Sequence, residues 1–202
     1  MDFVYNTETM TSQPITPQYK VIDIGSGPYP KPDADVRMDI HQWGNVNCLH
    51  NLLDTPYPFN DGVFEKAYMG DVVEHISIFD IDRVLGEVNR ILKHGATLEV
   101  TVPDARWIFE RVVKNDWAQN ANVDWLNPSP DPWKSAMAYL FGGFHTHNEY
   151  KMEGMGHLNA FDQKHLKELL EKNGFTDCER HPDMRNPEPA RNAVIKMVCK
   201  KS

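Results

Sequence analysis

The stretch VIDIGSGPYPKPDADVRMDI, residues 21–40, constrains the fold of this chain more than any other feature. Two strand-like pieces flank a glycine turn, and eleven residues with three prolines separate Ile24 from Val36. In proteins that alternate strands and helices, such a turn usually opens a crossover helix, and the whole crossover takes about a dozen residues or more. Because proline also disrupts helix interiors, this connection is expected to hold a short helix or none.

Strand-like runs continue along the chain and alternate with helices only from the fourth run onward. The runs cover residues 19–24, 36–40, 46–50, 64–69, 96–102, 175–181 and 192–200. Strands that alternate with helices predict a mainly parallel sheet, and the last two runs predict a hairpin across a turn that contains prolines. We therefore predict an α/β fold with a mainly parallel seven-stranded sheet and an antiparallel C-terminal strand.

Two segments have the apolar period of a helix. Residues 80–95 carry apolar residues on one face, and Gly95 stands where a C-terminal cap belongs. Residues 162–174 repeat this pattern, with Asp162 as the candidate N-cap and Gly174 as the stop. The first 18 residues are expected to form a flexible N-terminal arm, and residues 19–202 a single domain.

One face of the sheet is predicted to be thinly covered. Runs 36–40, 46–50 and 96–102 alternate polar and apolar residues, whereas a parallel sheet covered on both faces has apolar strands throughout. The connections at 25–35 and 41–45 are too short for the crossover helices that normally cover one face. Either a tryptophan-rich insertion or a second subunit, as in a homodimer, is expected to cover it instead.

Composition limits the function classes. The net charge of −8 disfavours a nucleic-acid partner, because affinity for a phosphate backbone comes mostly from lysine and arginine. No apolar run approaches the ~18 residues of a membrane span, and the N-terminus lacks the apolar region of a secretory signal. Three distant cysteines suit neither a disulfide framework nor a zinc cluster. We expect a cytoplasmic protein without nucleic-acid or membrane partners.

A ligand site is indicated at the start of the chain. Gly25, Ser26 and Gly27 directly follow the first strand, so a ligand can approach bare backbone at the carboxyl edge of the sheet. Asp39 ends the next strand, where nucleoside-binding folds carry an acid for the ribose hydroxyls. Taken singly, the glycines are also compatible with a plain tight turn and Asp39 with a turn residue. The third glycine of the dinucleotide fingerprint is absent.

Four segments in a fixed order then carry a family resemblance. They read DIGSGP, a strand that ends in an acid, NLLDTPYPFNDGVFEKAYMGDVVEHI, and EVNRILKHGATLEVTVPD. In this order they resemble the class I, Rossmann-like, S-adenosylmethionine-dependent methyltransferases over most of residues 19–200. The chain is also similar to a subgroup of small predicted methyltransferases often associated with surface polysaccharide pathways. That subgroup has a shortened crossover after the glycine turn and a loop with glycines and histidines before the final helix.

The resemblance implies S-adenosyl-L-methionine as cofactor, a sulfonium compound without the phosphates that a helix N-terminus would hold. The glycine turn would pass under its methionine part, Asp39 would hold the ribose, residues 51–52 would meet the adenine, and residues 69–71 would receive the amino group. The cofactor-binding residues so implied are Gly25, Ser26, Gly27, Asp39, Ile40, Asn51, Leu52, Met69, Gly70 and Asp71.

Histidines are the candidate catalytic bases, because their unperturbed pKa lies near neutrality. The candidates are His75, in the DVVEH stretch, and His145 and His157, in the glycine-rich loop, with His147 beside them. A structural role for His75 and a solvated surface for the loop histidines are the alternatives. Without any histidine base, Asp71, Glu74 or an acceptor that needs no base would remain.

The second half of the sequence also contains residues to consider as a metal site and as an acceptor region. His145 and His147 with Glu149, Glu153 or His157 have ligand chemistry, but no spacing matches a recognised zinc motif, so no metal is predicted. Residues 104–160 form an insertion and acceptor region. Its tryptophans either line an acceptor pocket or pack a helix on the sheet, namely Trp107, Trp117, Trp125 and Trp133.

The predicted function is methyl transfer from S-adenosylmethionine to a small-molecule or carbohydrate-type acceptor. Two alternatives stay open. A nicotinamide-dependent oxidoreductase conflicts with the missing third glycine and the missing first helix. A methyltransferase-like module that binds the cofactor or a partner protein without turnover would carry the same cofactor residues.

Overall fold

The structure is a computed structural model that describes residues 3–6, 11–14, 19–115, 132–141, 156–183 and 194–202. In these residues the strands are β1 (Phe3–Asn6), β2 (Thr11–Pro14), β3 (Val21–Ile24), β4 (Val36–Asp39), β5 (Cys48–Leu49), β6 (Phe64–Gly70), β7 (Leu92–Pro103), β8 (Phe175–His181) and β9 (Val194–Lys201). The helices are α1 (Ile81–Ile91), α2 (Ala105–Lys114), α3 (Pro132–Leu140) and α4 (Gln163–Lys172), with a 3-10 turn at Val73–His75.

Seven strands form one mixed sheet in the order β5-β4-β3-β6-β7-β9-β8. Strands β3 to β7 pair in parallel, β9 runs antiparallel to β7, and β8 runs antiparallel to β9. The predicted mainly parallel sheet with an antiparallel C-terminal strand is thereby confirmed. The strand order reverses between β3 and β6, and ligands of open α/β sheets bind outside the carboxyl ends of the strands at such a point.

The first two crossovers are loops, as predicted. Residues 25–35 and 40–47 contain turns and bends but no helix. The chain is held close to the sheet instead, because the amides of Gly25 and Ser26 both donate to the carbonyl oxygen of Met38, at 2.7 and 3.1 Å. The glycine turn therefore lies directly against the end of β4.

One face of the sheet carries the main hydrophobic core. Alternate residues of the strands point into it, among them Ile22, Met38, Met69, Val100 and Met197. Helix α1 buries Val84, Leu85, Val88 and Ile91 in the same core, and α4 buries Leu166 and Leu170. The apolar stripes seen in the sequence of both helices are thus the surfaces that cover this face.

The opposite face is polar. The strand registers align Arg37, Asp23, Tyr68 and Glu99 in one row across β4, β3, β6 and β7. The loop between β3 and β4 lies over this row, since the Lys31 amide donates to Asp23 (2.7 Å) and the Tyr68 hydroxyl donates to Asp33 (2.8 Å). This charged loop thus covers part of the face that crossover helices would otherwise cover. Further cover by the insertion or a second subunit stays a prediction.

Asp23 should destabilise the protein near neutral pH. It is 4% exposed, and burial raises its pKa from 3.8 to about 6. The native state therefore binds more protons than the unfolded chain between these values, so stability is lost as pH rises through this window. Two pKa units correspond to about 3 kcal/mol. The Asp23→Asn variant keeps an oxygen for the Lys31 amide but carries no charge, and should be more stable at neutral pH by about 1 to 3 kcal/mol.

The free energy of unfolding is measured with urea for the variant and the wild type at each pH. The contributions of other titrating groups cancel in the difference between the two proteins. We expect this difference to grow between about pH 4 and 6 and to stay level above that range. A difference that does not change with pH would contradict the assignment.

Helix α1 is shorter than the sequence pattern indicates, and the predicted cap at Gly95 is wrong. The helix ends at Ile91, and Leu92 already pairs with Phe64 in the ladder of β6 and β7. The next paired residues are Lys66 and Thr97, so the extra residues of β7 form an irregularity. Gly95 lies there with φ +75°, which explains the glycine without a helix cap.

The N-terminal segment and the insertion both contain regular structure. Strands β1 and β2, in the segment predicted as a flexible arm, pair antiparallel with each other. In the insertion, α2 and α3 pack through a second apolar cluster around Ile108, Ala136 and Tyr139. No described helix combines the length and apolarity needed to cross a membrane.

Candidate active site

Three strands end at the point where the sheet order reverses, and the predicted site residues lie at their ends. Gly25 follows β3, Asp39 ends β4, and Gly70 ends β6. Because β3 pairs with both neighbours, these ends lie side by side. The structure therefore brings together the glycine turn, the strand-end acid and the start of the DVVEH stretch.

The glycine turn depends on two glycines for different reasons. Gly25 has φ +68°, and a Cβ atom there would lie 2.5 Å from Cγ2 of Val72, so the turn and the DVVEH stretch are in tight contact. Gly27 has φ +58°, and a Cβ there would meet nothing within 4 Å. The backbone at Gly27 is thus open on the side where a side chain would otherwise stand.

Ser26, between the two glycines, has a buried hydroxyl. The residue is 7% exposed, and its Oγ has no hydrogen-bond partner among the described residues. A buried polar atom in this state costs free energy unless a ligand or water satisfies it. The buried hydroxyl therefore favours a polar ligand at this turn.

Asp39 joins the turn to the following loop. One carboxylate oxygen accepts from the Gly27 amide and the other from the His41 amide, both at 2.8 Å. A carboxylate has about four acceptor positions, so about two remain for ligand hydroxyls. The amides also fix the orientation of the side chain before any ligand binds.

The predicted adenine residues follow β5. The His50 amide donates to the Asp39 carbonyl oxygen at 2.9 Å, which holds this segment beside β4. Asn51 closes a turn, because its side-chain oxygen accepts from the Leu53 amide at 2.9 Å. Leu52 is half-buried against the core, and Ile40, beside Asp39, is also half-buried.

The residues at the end of β6 differ in the groups that a ligand could contact. The Met69 side chain is fully buried in the core, so a ligand contact by this residue has to come from its main chain. At Gly70 a Cβ would make an ordinary van der Waals contact of 3.5 Å with Oγ1 of Thr101, so the position has room for a small side chain. Asp71 is exposed and has φ +56°, a conformation that few residues other than glycine, asparagine and aspartate adopt.

His75 and His157 form a pair although they lie far apart in the sequence. Their rings meet edge to face with centroids 4.6 Å apart, and Nδ1 of His75 lies 3.2 Å from the carbonyl oxygen of Gly156. The segment around His157 is fastened to the 3-10 turn by the amides of Leu158 and Asn159, which donate to the Glu74 carbonyl oxygen at 2.7 and 3.0 Å. Backbone hydrogen bonds therefore hold together the two segments that carry the histidines.

Burial, with the neighbouring His75 as the second cause, lowers the pKa of His157 to about 4. The ring is therefore uncharged at neutral pH. Two further residues lie near the pair: Glu74, which the sequence offered only as an alternative base, and Asn159, which it did not single out. Glu74 is 1% exposed beside both imidazoles, and the Asn159 side chain donates to the Ile76 carbonyl oxygen.

The remaining predicted residues include several that the structure does not describe. His145, His147, Glu149 and Glu153 are outside the described residues, as are Trp117 and Trp125. Trp107 packs against the second apolar cluster and beside Arg111, whereas Trp133 is 57% exposed. Trp107 thus packs within the cluster between α2 and α3, which is not the predicted packing of a helix on the sheet.

The residues present fit S-adenosylmethionine. Its ribose hydroxyls can donate to the remaining acceptor positions of Asp39, its amino acid part can satisfy Ser26, and the absence of a helix after β3 suits a ligand without phosphate.

The family and the fold were compared with known proteins. The sequence model of the family described as "Methyltransferase domain" matches residues 13–179. A search of curated proteins found no significant sequence match. Among solved structures, the chain is similar to a methyltransferase from Thermotoga maritima described as S-adenosylmethionine-dependent and as a possible histamine N-methyltransferase. The identity is 17%, the TM-score is 0.55, and the alignment covers 93% of this chain and 84% of that one.

Two further structures have the same fold. An S-adenosylmethionine-dependent methyltransferase from Archaeoglobus fulgidus aligns with 13% identity and a TM-score of 0.54, over 90% of this chain and 86% of that one. The 1,6-didemethyltoxoflavin-N1-methyltransferase of Burkholderia thailandensis, solved with 1,6-didemethyltoxoflavin and S-adenosylhomocysteine, aligns with 13% identity and a TM-score of 0.52, over 90% and 70%. At these identities the likeness shows the fold, whereas the family model extends over most of the sequence. The chain belongs to the methyltransferase domain family.

Proposed function

We propose that the protein transfers a methyl group from S-adenosylmethionine to a small-molecule or carbohydrate-type acceptor. The observation that carries the proposal is the helix-free glycine turn joined to Asp39 by the Gly27 amide. A pyrophosphate would require a helix N-terminus at this turn, whereas a sulfonium compound requires acceptors for its hydroxyl and amino groups. This also counts against a nicotinamide cofactor.

The side chains at the carboxyl edge would divide the binding. Asp39 would hold the ribose, Ser26 and the open backbone at Gly27 would take the methionine part, and Asn51 with Leu52 would border the adenine. When bound, S-adenosylmethionine supplies an electrophilic methyl group. Because displacement at that carbon needs an aligned acceptor, the main task of the remaining site is positioning.

The acceptor would lie next to the His75 and His157 pair. The pair stands just beyond the end of β6, beside Val72, which touches the glycine turn. An uncharged imidazole can accept a hydrogen bond from an acceptor hydroxyl, and the lowered pKa keeps His157 in that form. The lowered pKa of His157 comes mainly from burial, which supports an acceptor site shielded from water.

The remaining proposals concern the setting of the enzyme. A carbohydrate acceptor would connect it with surface polysaccharide pathways. The buried Cys48, Cys178 and Cys199 form no disulfide with one another, which suits the reducing cytoplasm. A homodimer would add cover to the polar face of the sheet. A module that binds the cofactor without turnover is the alternative, and the described residues do not favour it over an enzyme.

Isothermal calorimetry with S-adenosylmethionine and with NAD tests the cofactor. We expect measurable binding of the first and none of the second, because the turn has no helix N-terminus for a pyrophosphate. Release of S-adenosylhomocysteine during incubation with an acceptor library then tests turnover and identifies the acceptor. Binding of NAD alone would overturn the cofactor assignment, and cofactor binding without release for any acceptor would favour the non-catalytic module.

A further inference from the structure

We propose that Glu74, His75 and His157 form a binding site for one divalent transition-metal ion, such as Zn²⁺. Each of the three residues offers one ligand atom, and these atoms all lie within 4.8 Å of one another. The inference deepens the proposed function, on which its role in the reaction rests, because the cluster lies where the acceptor is expected.

The ligand chemistry selects the class of ion. Two imidazoles and one carboxylate suit zinc, iron, nickel and related ions, whereas Mg²⁺ and Ca²⁺ prefer oxygen ligands. Ligand atoms about 2.1 Å from a tetrahedral ion lie about 3.4 Å apart, so ligand atoms separated by 4.8 Å would have to approach by about 1.4 Å. Rotations of the three side chains would have to supply this change.

The surroundings of the two rings match those of metal ligands. A ligating histidine commonly donates its second ring N–H to a backbone carbonyl, which fixes the tautomer. Nδ1 of His75 lies at hydrogen-bond distance from the Gly156 carbonyl oxygen, so Nε2 is the unprotonated nitrogen when Nδ1 donates. The backbone of Tyr139 and Leu140 lies near the His157 ring. The His75 ring thus has a backbone partner for one nitrogen, and the His157 ring lies beside backbone groups that can take the same role.

The backbone around the cluster is fixed before any ion binds. The Leu158 and Asn159 amides both donate to the Glu74 carbonyl oxygen, and the Asn159 side chain donates to the Ile76 carbonyl oxygen. These bonds join two segments that are 81 residues apart at His75 and Gly156. A site assembled in this way loses little conformational entropy on binding.

Glu74 gives the site its charge. The residue is 1% exposed, and a carboxylate beside two imidazoles lowers the free energy of a cation placed among them. An ion held here has ligand positions left for oxygen atoms of an acceptor. The acceptor class that such a site would take is a small molecule with adjacent hydroxyl groups, which includes sugars.

Equilibrium dialysis of chelator-treated, tag-free protein against Zn²⁺, with the metal content measured by mass spectrometry, tests the site. We expect one ion per chain in the wild type, and dissociation constants raised by about 100-fold or more in His75→Ala and His157→Ala. The exposed His94, outside the cluster, provides the matched control, and His94→Ala should bind like the wild type. Wild-type stoichiometry and affinity in both cluster variants, or no binding by the folded wild type, would overturn the proposal.

Because His157 is largely buried, its variant can fail to fold, and Glu74→Gln, which keeps the size of the side chain, provides a second test. Zn²⁺ should raise the melting temperature of the wild type but not that of Glu74→Gln, and Mg²⁺ should raise neither. An equal Zn²⁺ effect in both proteins would overturn the site. S-adenosylmethionine binding to chelator-treated protein is measured in parallel, so loss of the cofactor function is recognised separately from loss of the metal site.

Discussion

Asp39→Ala is expected to weaken S-adenosylmethionine binding by about tenfold or more. The carboxylate has acceptor positions left for the ribose hydroxyls, and leaving such buried partners unpaired costs about 1 to 3 kcal/mol. The substitution also removes the acceptor of the Gly27 and His41 amides, so the glycine turn loses its link to the following loop. Both effects act on the same ligand, and calorimetry measures their sum.

A second aspartate separates the two effects. The Asp35 carboxylate also accepts from two backbone amides, those of Lys20 and Val21 at 2.7 and 2.9 Å, but at the opposite end of β3. Asp35→Ala should therefore lower the melting temperature in the same way as Asp39→Ala and leave cofactor affinity nearly unchanged. Equal cofactor affinities in both variants would refute the assignment of the ribose to Asp39.

His75→Ala is expected to lower turnover by about 10² or more while cofactor affinity stays nearly unchanged. The ring lies beyond the end of β6, in contact with His157, and contributes to the acceptor side of the site rather than to the glycine turn. His157→Ala should have a similar effect, since the two rings form one unit. A general loss of folding would lower both kcat and cofactor affinity, whereas we expect only kcat to fall.

The pH profile and a chelator distinguish how the pair acts. His157 is uncharged above about pH 4, so a limb in the kcat/KM profile between about pH 6 and 8 would belong to another group.

If the pair acts through an ion, chelator treatment of the wild type should lower turnover as much as His75→Ala does. Full activity in the His75, His145, His147 and His157 alanine variants would mean that no histidine takes part, leaving Asp71, Glu74 or an acceptor that needs no base.

The glycine turn and Asp39, which form the proposed cofactor site, could be located from the sequence because they lie close together along the chain. The short connection after Ile24 excludes a crossover helix by length and proline content alone, and the strand that ends in Asp39 follows directly. By contrast, the contact between Gly25 and Val72 joins the loops that follow β3 and β6, so the sequence offers no signal for this contact. The helix end at Ile91 was missed because the apolar pattern continues through Leu92, which is buried by strand pairing instead.

The acceptor side depends on contacts that no local pattern contains. Glu74 and His75 are adjacent, but His157 joins them only through the backbone bonds from Leu158 and Asn159. Zinc motifs are recognised by ligand spacing within a short segment, and this cluster has none. The low pKa of His157 likewise comes from burial and from a neighbouring ring that the fold supplies.

The strand order at one edge of the sheet sets the sequence in which the protein can be completed. Because β9 lies between β7 and β8, β8 has no partner until β9, which is made later, is available. During folding, residues 175–181 thus have an unpaired strand edge until β9 pairs with them, and such an edge can pair with other chains in that interval. The pairings of β9 with β7 span about 100 residues of sequence, so the last strand adds the slowest kind of contact to the folding reaction.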